Sequence, residues 1–435
     1  MTTTVLDRAA GAVLHSSSDA GCLPATCRIG LLGLGNVGSA FARLTRDGAD
    51  TLASRGFTPV IATSLVRNAS RARPADLSTP MTDDSEAFFA EPVDVIVEAL
   101  GGVEPAFTLV RRALDRGIPV VTANKSLIAA HGDALARLAR RRGTALRYEA
   151  ACIAGVPFLG TFERRALVAR ASGVTAILNG TSNYILTAMT RGGSFASALA
   201  GAQQLGYAEP DPSMDISGAD AAEKLTILIR LFGRLLVDPR AIPLDGLGSV
   251  EADDIAAAVA FGGALRPVSR ASWSGAAVRA HVGPSFVDGT HPLARVAGVT
   301  NGVVIDAAGG VQCYIGPGAG PDVTAATLLD DVSEIVTERR VRTPPSDAVH
   351  AADSISRPES AWFIRFTGTA RPSDIADLLG SYGIWCTRLE RRADRAYAVT
   401  CHASVARLNA ALDAVQAATG ATTAAFPALS EEAHS

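Results

Sequence analysis

The segment Gly33-Leu-Gly-Asn-Val-Gly38 limits the possible folds of this chain more than any other feature. It directly follows a short apolar run and opens an amphipathic segment. A G-x-G-x-x-G pattern alone carries little weight in a chain with 41 glycines, but its place between a strand and a helix is typical of a dinucleotide site. Gly33 permits a tight turn, Gly35 lets a pyrophosphate approach the backbone, and Gly38 lets helix and strand pack closely. The phosphates would lie at the helix N-terminus. A purely structural turn is the alternative.

Short apolar runs alternate with helical segments over residues 27–150. Continuous apolar strands separated by helices indicate a parallel sheet covered on both faces. We therefore predict the α/β class, with a Rossmann-type doubly wound parallel sheet that is completed by about 317–340. The expected strands are Arg28–Leu32, Thr58–Val66, Val93–Glu98, Ile118–Thr122 and Ala145–Glu149, and the expected helices are Asn36–Arg46, Glu104–Arg116 and Gly132–Arg142.

Beyond Glu149 the rhythm changes to a mixed α+β pattern, which predicts a second domain over 151–316. We expect this domain to be the catalytic and dimerisation domain. Ser194 is expected to cap a helix that Gly206 ends. Other expected elements are the strands Gly173–Leu178, Ala276–Val282 and Gly302–Asp306 and the helices Asn183–Thr190 and Asp322–Thr337.

The two ends of the chain read differently from its middle. Residues 1–26 are rich in Ser, Ala, Thr and Gly, so a disordered tail is expected. A polar, proline-containing stretch over 341–358 reads as a linker. Residues 359–430 follow a βαββαβ order, the ferredoxin-like unit.

Composition excludes several classes of function. The 435 residues carry a formal net charge of −3 without a long run of one sign, which argues against nucleic-acid or membrane-surface partners. The apolar stretches are too short to span a bilayer, and the N-terminus lacks the pattern of a secretory signal. The 6 cysteines show no metal-type clustering, so zinc is not expected and a reducing cytoplasm fits best.

Asp220 and Lys224 lie four residues apart at the start of a helical run and therefore share one helix face. An isolated pair of this kind is usually a surface ion pair, but the following segment, 225–232, is too apolar for a solvated helix. Lys125 follows the fourth expected strand, and ligands of doubly wound sheets bind at the carboxyl ends of strands. The two lysines could together stabilise an oxygen that gains negative charge.

The end of the second expected strand distinguishes NADP from NAD. A carboxylate there would hold the ribose 2′-hydroxyl of NAD, but the sequence has Arg67 in its place, with Arg71 and Arg73 close behind. A guanidinium can meet a 2′-phosphate with two hydrogen bonds. NADP is favoured, with NAD or a solvent-facing arginine as the alternative.

Eight segments, in the same order, resemble the homoserine dehydrogenase family over about Cys27 to Val336. So many matches in one order make coincidence improbable. The segments are Gly30–Gly38, Val121–Lys125, Tyr148–Ala150, Ile177–Leu186, Gly206–Pro212, Gly218–Leu228, His291–Ala294 and Gly316–Gly320.

The resemblance implies reversible NAD(P)H-dependent reduction of L-aspartate 4-semialdehyde to L-homoserine, in threonine, methionine and isoleucine biosynthesis. Hydride delivery to an aldehyde leaves an alkoxide, which needs positive charge and a proton. By resemblance Lys224 donates that proton, Lys125 polarises the carbonyl, and Asp220 orients substrate or a water. The implied substrate-binding residues are Glu209, which holds the α-ammonium group, Thr181 and Tyr207; the cofactor-binding residues are Gly33, Gly35, Asn36, Val37, Gly38, Arg67, Gly101, Lys125 and Gly318.

The resemblance also implies a monovalent cation, usually sodium. Its ligands would be the Glu149 side chain and the backbone carbonyls of Cys152, Ala154 and Val156.

The C-terminal unit resembles the ACT regulatory domain by element order, which implies an amino-acid effector such as threonine. The segment Gly368–Asp374, which occupies the place of the effector loop, lacks the Asp before Pro and the Gly after it that such loops have. A structural or dimerising role is therefore the alternative. Since a mixed sheet leaves an edge to cover, we expect a homodimer or homotetramer.

Two other functions compete with this interpretation. One is another amino-acid dehydrogenase of the aspartate dehydrogenase type, but His131 lies outside the cluster and His291 is expected only to fix a turn before Pro292. The other is a catalytically silent sensor of NADP and an amino acid, which would have no need for two converging ammonium groups.

Overall fold

The computed structural model describes residues 25–71, 77, 79–156, 158–164, 171–337, 348–351 and 355–430. Most of the expected N-terminal tail, much of the expected linker and Arg73 lie outside these residues. In the part of the chain that is described, no helix combines the length and apolar character needed to cross a bilayer.

The first sheet is parallel throughout, in the order β3-β2-β1-β4-β5-β6. Its central strand β4 is buried along its whole length, as expected where helices cover both faces. The predicted doubly wound parallel sheet is therefore confirmed. Its strands are β1 (Ala25–Leu32), β2 (Phe57–Leu65), β3 (Met81–Thr82), β4 (Val95–Glu98), β5 (Val120–Thr122) and β6 (Leu146–Arg147).

One helix of this layer begins far earlier than expected. The helix predicted from Gly132 starts at Lys125, because the Asn124 side chain caps it by accepting from the backbone N–H of Leu127 at 3.0 Å. Lys125 therefore lies on the first turn of a helix rather than in a loop. The helices of this part of the chain are α1 (Asn36–Asp47), α2 (Ala49–Ala53), α3 (Ser85–Ala90), α4 (Ala106–Asp115), α5 (Lys125–Arg142) and α6 (Leu159–Arg164).

The second sheet has nine strands in the order β12-β11-β7-β9-β10-β17-β14-β16-β15, and β8 pairs separately with β13. The long strand β9 was not predicted, and β10 extends well beyond Val282. Pro267 and Pro284 weaken the strand pattern of the two segments, because proline is rare inside strands. The two prolines lie opposite each other, so neither needs to donate to the ladder. These strands are β7 (Ala171–Ile177), β8 (Leu235–Leu236), β9 (Gly263–Ser274), β10 (Ala277–Asp288), β11 (Thr300–Ala307), β12 (Gly310–Pro317), β13 (Val349–His350), β14 (Ala361–Thr367), β15 (Cys386–Arg392), β16 (Arg395–Thr400) and β17 (Thr422–Leu429).

The helices of the second half connect this sheet to the first. The predicted cap at Ser194 is confirmed, since its hydroxyl accepts from the backbone N–H of Ser197 at 3.1 Å. The last long helix before the C-terminal unit, α12, returns to the first sheet and packs Leu328 and Val332 in one cluster with Ile29. These helices are α7 (Gly180–Met189), α8 (Phe195–Gln204), α9 (Ser213–Ser217), α10 (Ala219–Leu228), α11 (Ala252–Ala260), α12 (Pro321–Thr337), α13 (Pro372–Ser381) and α14 (Val405–Thr419).

The C-terminal unit has the expected βαββαβ order, and its strands lie as β17-β14-β16-β15. It is not separate from the rest of the fold, because β17 pairs in parallel with β10, with Phe286 opposite Ala428. The Phe363 ring stacks on Phe286 with centroids 5.1 Å apart, and Arg365 donates to the buried Asp254 at 2.6 Å. The unit therefore shares a sheet and a core with the middle of the chain. Its likeness to ACT domains stays a prediction.

We expect Phe363→Ala to lower the free energy of unfolding by about 3–5 kcal/mol, because it removes a fully buried ring from the shared core. Urea denaturation followed by circular dichroism measures this change. Trp385→Ala is the matched control, since its side chain is 66% exposed, and it should change stability by less than about 0.5 kcal/mol. Equal effects of the two substitutions would contradict a shared core.

Candidate active site

One carboxylate forms ion pairs with both lysines that the sequence analysis predicted to be catalytic. Lys125 Nζ lies 3.0 Å from Oδ1 of Asp220, and Lys224 Nζ lies 3.0 Å from Oδ2 of the same side chain. Lys125 comes from the first turn of α5, whereas Asp220 and Lys224 come from α10. The structure thus brings together three side chains that sequence analysis assigned to catalysis.

The three groups differ in their exposure to solvent. The side chains of Asp220 and Lys224 are 10% and 12% exposed, while that of Lys125 is 35% exposed. Burial raises the pKa of Asp220, but the charges of Lys224 and Lys125 and a hydrogen bond from Asn179 outweigh it and hold the pKa well below its ordinary value. Burial lowers the pKa of Lys125, yet attraction to Asp220 leaves it above its ordinary value. Asp220 therefore stays ionised.

Lysine occurs at these two positions only in the whole sequence; all the other residues among the 40 Lys and Arg are arginines. Lysine carries a compact charge whose pKa responds to its surroundings, whereas arginine stays protonated in proteins. A chain that otherwise uses arginine has lysine at the two positions that meet on Asp220. Lysine scarcity was a signal in the sequence that the motif analysis did not use.

Asn179 is a site residue that sequence analysis missed. Its amide nitrogen donates to Asp220 Oδ2 at 2.9 Å and to Asp215 Oδ1 at 2.7 Å, while its oxygen caps α7 by accepting from the Ser182 N–H. Burial, together with the nearby charge of Asp220, raises the pKa of Asp215. An asparagine between a strand and a helix is a typical N-cap, and that pattern was the available signal.

The backbone completes the surroundings of Lys224. Its Nζ donates to the carbonyl oxygen of Leu178 at 2.9 Å, at the end of β7. An ammonium group has three N–H donors, and the contacts with Leu178 and Asp220 engage two of them. Among the described residues, no further partner engages the third.

The residues expected to bind substrate lie on one turn and the helix beside it. The Thr181 hydroxyl, at the start of α7, donates to the backbone carbonyl of Tyr207 at 2.6 Å. The Tyr207 ring packs against Tyr184, with centroids 5.2 Å apart. Glu209 lies exposed on the same turn, where its backbone carbonyl accepts from the Gln203 side chain at 3.3 Å. The turn is therefore held by the buried Thr181 hydroxyl and presents the exposed Glu209 carboxylate to solvent.

The glycines at the start of α1 form a cradle that fits a pyrophosphate. Gly33 has φ +95°, and a Cβ there would lie 2.8 Å from the carbonyl oxygen of Ala99. A Cβ at Gly38 would lie 2.1 Å from the carbonyl oxygen of Gly33, so helix and turn touch directly. Beside Gly35 the space is open, next to the N-terminus of α1 where Asn36 and Val37 begin the helix. Backbone N–H groups at such a terminus attract phosphate.

The remaining residues expected to bind the cofactor differ in their surroundings. Arg67 is exposed just beyond the end of β2, and Gly101 adopts φ +77° in the turn after β4. Gly318 packs against a buried side chain, because a Cβ there would lie 2.1 Å from the amide oxygen of Asn301.

Glu98 is a second site residue without an earlier assigned role. It is fully buried at the end of β4 and accepts from the Thr122 hydroxyl, from Leu100 N at 2.8 Å and from the Asn124 amide at 3.3 Å. Burial raises its pKa despite these hydrogen bonds. Glu98 thus ties the ends of β4 and β5 to Asn124, which caps the helix of Lys125.

The predicted cation ligands lie in one turn, but several are already engaged. The Glu149 carboxylate accepts from the backbone N–H groups of Leu159 and Gly160, each at 2.9 Å. The Ala154 carbonyl accepts from the Thr327 hydroxyl, and the Val156 carbonyl accepts from the Phe158 N–H at 2.9 Å. Cys152 is buried in the same turn. A carbonyl oxygen has two lone pairs, so each of these carbonyls can accept a second contact.

Among the described residues, no group of three or more His, Cys, Asp and Glu side chains is arranged to hold a metal ion.

The prediction that His291 fixes a turn before Pro292 is confirmed. Its ring Nδ1 accepts from the Leu293 N–H at 3.2 Å and so fixes the turn before Pro292.

Family models match two adjacent stretches of the chain. Residues 33–149 match "Homoserine dehydrogenase, NAD binding domain", and residues 157–333 match "Homoserine dehydrogenase". The homoserine dehydrogenase of Synechocystis sp. is 37% identical over 325 residues, covering 72% of this chain and 73% of that protein. The homoserine dehydrogenase of Pseudomonas aeruginosa is 32% identical over 378 residues, covering 82% and 86%.

Solved structures give the same result. A homoserine dehydrogenase from Thiobacillus denitrificans superimposes with a TM-score of 0.83 at 28% identity, covering 93% of this chain and 99% of that one. A hyperthermophilic archaeal homoserine dehydrogenase in complex with NADPH superimposes with a TM-score of 0.60 at 25% identity, covering 73% and 100%.

Asp220→Asn should destabilise the fold in a pH-dependent way. A carboxylate with a lowered folded pKa stabilises above its unfolded pKa, about 4, and loses that effect as the pH falls through the folded value. The raised pKa of Lys125 sets the upper end of the pH range in which the ion pair stabilises the fold. The contribution of Lys125 to stability is lost only as the pH rises through its pKa in the folded protein, above about 10. Between about pH 5 and 9 we expect a loss of about 3–5 kcal/mol.

Urea unfolding of both proteins from pH 3 to pH 9 measures this difference, which should shrink towards pH 3. Asp377→Asn, at an exposed position on α13, is the control and should have little effect at any pH. A difference that stays constant down to pH 3 would contradict an ionised, paired Asp220.

Proposed function

The chain belongs to the homoserine dehydrogenase family and is an NAD(P)-dependent oxidoreductase, and we propose that Lys224, Lys125 and Asp220 carry its reaction. The reaction is the reversible reduction of L-aspartate 4-semialdehyde to L-homoserine. One observation supports the assignment above all: both lysines of the chain meet on a single buried carboxylate.

Lys224 is the proton donor in this proposal. Its contacts with Leu178 and Asp220 hold the ammonium group in place and leave one N–H for the aldehyde oxygen. As the carbonyl carbon is reduced, its oxygen gains negative charge and takes the proton from Lys224. In the direction of homoserine oxidation, neutral Lys224 accepts the proton of the alcohol. The nicotinamide supplies or accepts the hydride when it is bound.

Lys125 stabilises the charge that develops on the substrate oxygen. It is the more exposed of the two ammonium groups and is held by the opposite oxygen of Asp220. A preorganised cation placed where charge appears stabilises the transition state without further reorganisation. Asp220 holds both side-chain nitrogens in place, and Asn179 orients the carboxylate from the other side.

The substrate's amino-acid end would lie on the turn that follows α8. Glu209 offers an exposed carboxylate for the α-ammonium group, and Tyr207 is partly exposed beside it. Thr181 anchors this turn by its hydrogen bond to the Tyr207 carbonyl. An anion for the amine and two cations for the aldehyde oxygen match the two ends of L-aspartate 4-semialdehyde.

NADP is the proposed form of the cofactor, with NAD as the alternative. The glycine cradle fits the pyrophosphate of either cofactor. The preference between NADP and NAD therefore depends on the side chain that follows the end of β2. There the exposed Arg67 can pair with a 2′-phosphate. The archaeal relative in complex with NADPH supports the same choice.

A monovalent cation at the turn of Glu149, Cys152, Ala154 and Val156 also stays a proposal. The buried Asp331 supports it, since its carboxyl oxygen accepts from the Glu149 backbone N–H at 3.2 Å and two acidic side chains therefore lie close together. A bound cation would favour the ionised form of both.

We further propose self-association through the nine-stranded sheet. Among the described residues β12 ends this sheet at one side, and it exposes Val311 and Ile315 by 48% and 52%. Open edges and exposed apolar side chains are usually covered, which supports a homodimer or homotetramer.

Two roles of the C-terminal unit stay open. The unit could bind an effector such as threonine beside Gly368–Asp374, or it could have a structural or dimerising role.

Lys224→Ala should reduce kcat for L-homoserine oxidation about 10²–10⁴-fold, the usual range for loss of a general acid–base group. NADP⁺ reduction followed at alkaline pH measures this effect, and the wild type must be active in the same assay. Arg240→Ala, which removes a highly exposed side chain, is the control and should leave kcat unchanged. Full activity of the Lys224 variant would remove the residue from its proposed role.

Arg67→Ala should raise KM for NADPH about 10-fold or more, because a charge-assisted hydrogen bond contributes about 1.5–3 kcal/mol. KM for NADH should change little, since NADH has no 2′-phosphate. Steady-state reduction of the semialdehyde with each cofactor gives both values. Equal changes for the two cofactors would contradict a contact with the phosphate.

A further inference from the structure

Among the described residues, three polar contacts join the helix of Lys125 to the helix of Asp220 and Lys224 and its continuation. The first is the Lys125–Asp220 ion pair. The second is a hydrogen bond from the Ser126 hydroxyl to Glu223 Oε2 at 2.9 Å. The third lies farther along, where Arg230 Nη1 donates to the backbone carbonyl of Ile128 at 2.7 Å. The relative position of the two helices therefore depends in part on a residue outside the lysine cluster.

Arg230 lies in a π-helical turn, Ile229–Gly233, that continues α10. Single π-helical turns of this kind are frequent at functional sites. The side chain is 6% exposed, and its guanidinium lies 5.5 Å from the centroid of the Tyr148 ring. Its Nη2 is buried and has no hydrogen-bond partner among the described residues. Burying a charged group without a hydrogen-bond partner costs free energy, and a hydrocarbon side chain of similar length would avoid that cost.

Gly132 makes room for this guanidinium. A Cβ at position 132 would lie 2.3 Å from Nη1 and 2.7 Å from Nη2 of Arg230. Real atoms do not approach so closely, so any side chain there must displace the guanidinium or the helix. Gly132 and Arg230 therefore act as a matched pair across the contact between α5 and the π-helical turn.

We infer that Arg230 is a positioning residue for Lys125, which it serves by holding the first turns of α5 against the helix of Asp220 and Lys224. The inference rests on the proposed roles of the two lysines. N–H···O hydrogen bonds have donor–acceptor distances of about 2.7–3.2 Å. A shift of about 1 Å in α5 would therefore separate Lys125 from Asp220, and misplacement on that scale can cost about 100-fold in rate.

Three variants test this inference: Gly132→Ala, Arg230→Met and the double variant. Each single variant should lower kcat for homoserine oxidation about 10- to 100-fold, while KM for NADP⁺ stays within about twofold. In the double variant the new methyl group no longer meets a guanidinium. Its kcat should therefore lie within about threefold of that of Arg230→Met instead of falling by the product of the two losses.

Arg230→Lys should recover most of the activity, because an ammonium group can also donate to the Ile128 carbonyl. Arg266→Met is the matched control: Arg266 is a similarly buried arginine whose Nη2 donates to the Ala294 carbonyl at 2.9 Å. Its loss should leave kcat unchanged, whether or not the melting temperature shifts.

Several results would overturn the inference while the proposed function stands. They are an Arg230→Met variant with a lower melting temperature and wild-type kcat, losses in the double variant that multiply, or no recovery in Arg230→Lys. Absence of homoserine oxidation by the wild type would overturn the proposed function, and the positioning role would fall with it.

Discussion

A buried carboxylate between two ammonium groups costs free energy unless each charge is held by good geometry on every side. Asp220 meets that condition with Lys125 on one oxygen and Lys224 on the other, and with Asn179 donating to the second oxygen as well. The cluster has an excess of positive charge, which suits an oxygen that becomes negative. Because the lysines come from two different layers, this arrangement exists only when the dinucleotide-binding sheet and the nine-stranded sheet are packed together.

The ends of the parallel strands explain how Lys125 reaches this cluster. Glu98, at the end of β4, contacts Thr122 at the end of β5 and Asn124, which caps α5. A buried acid thereby sets the place where the helix begins, and Lys125 is its first residue. On the other side of the cluster, α7 begins at the end of β7 with Asn179 as its cap, and Leu178 supplies a carbonyl for Lys224. Two strand-to-helix junctions thus present the polar groups of the site.

The sequence predicted the parallel sheet well, since its strands are short apolar runs and its first turn carries the glycine pattern. It failed where local pattern and tertiary structure conflict. The facing prolines Pro267 and Pro284 concealed a long strand pair. The helix start at Lys125 was missed because its first residues lack an amphipathic pattern, although Asn124 was a usable cap signal. Asn179 had a cap signal in the sequence, but its contact with Asp220 could not be assigned from it, and neither could the contacts of Arg230, because these depend on how distant elements pack.

The scarcity of lysine gives this protein an unusual spectroscopic property. With two lysines in the chain, both in contact with Asp220, selective ¹⁵N labelling of lysine places an isotope at those positions and nowhere else. Every side-chain amine resonance then reports the site directly, without a background to subtract. The protonation of each group could be followed through turnover in the unmodified enzyme, because no other lysine contributes a signal.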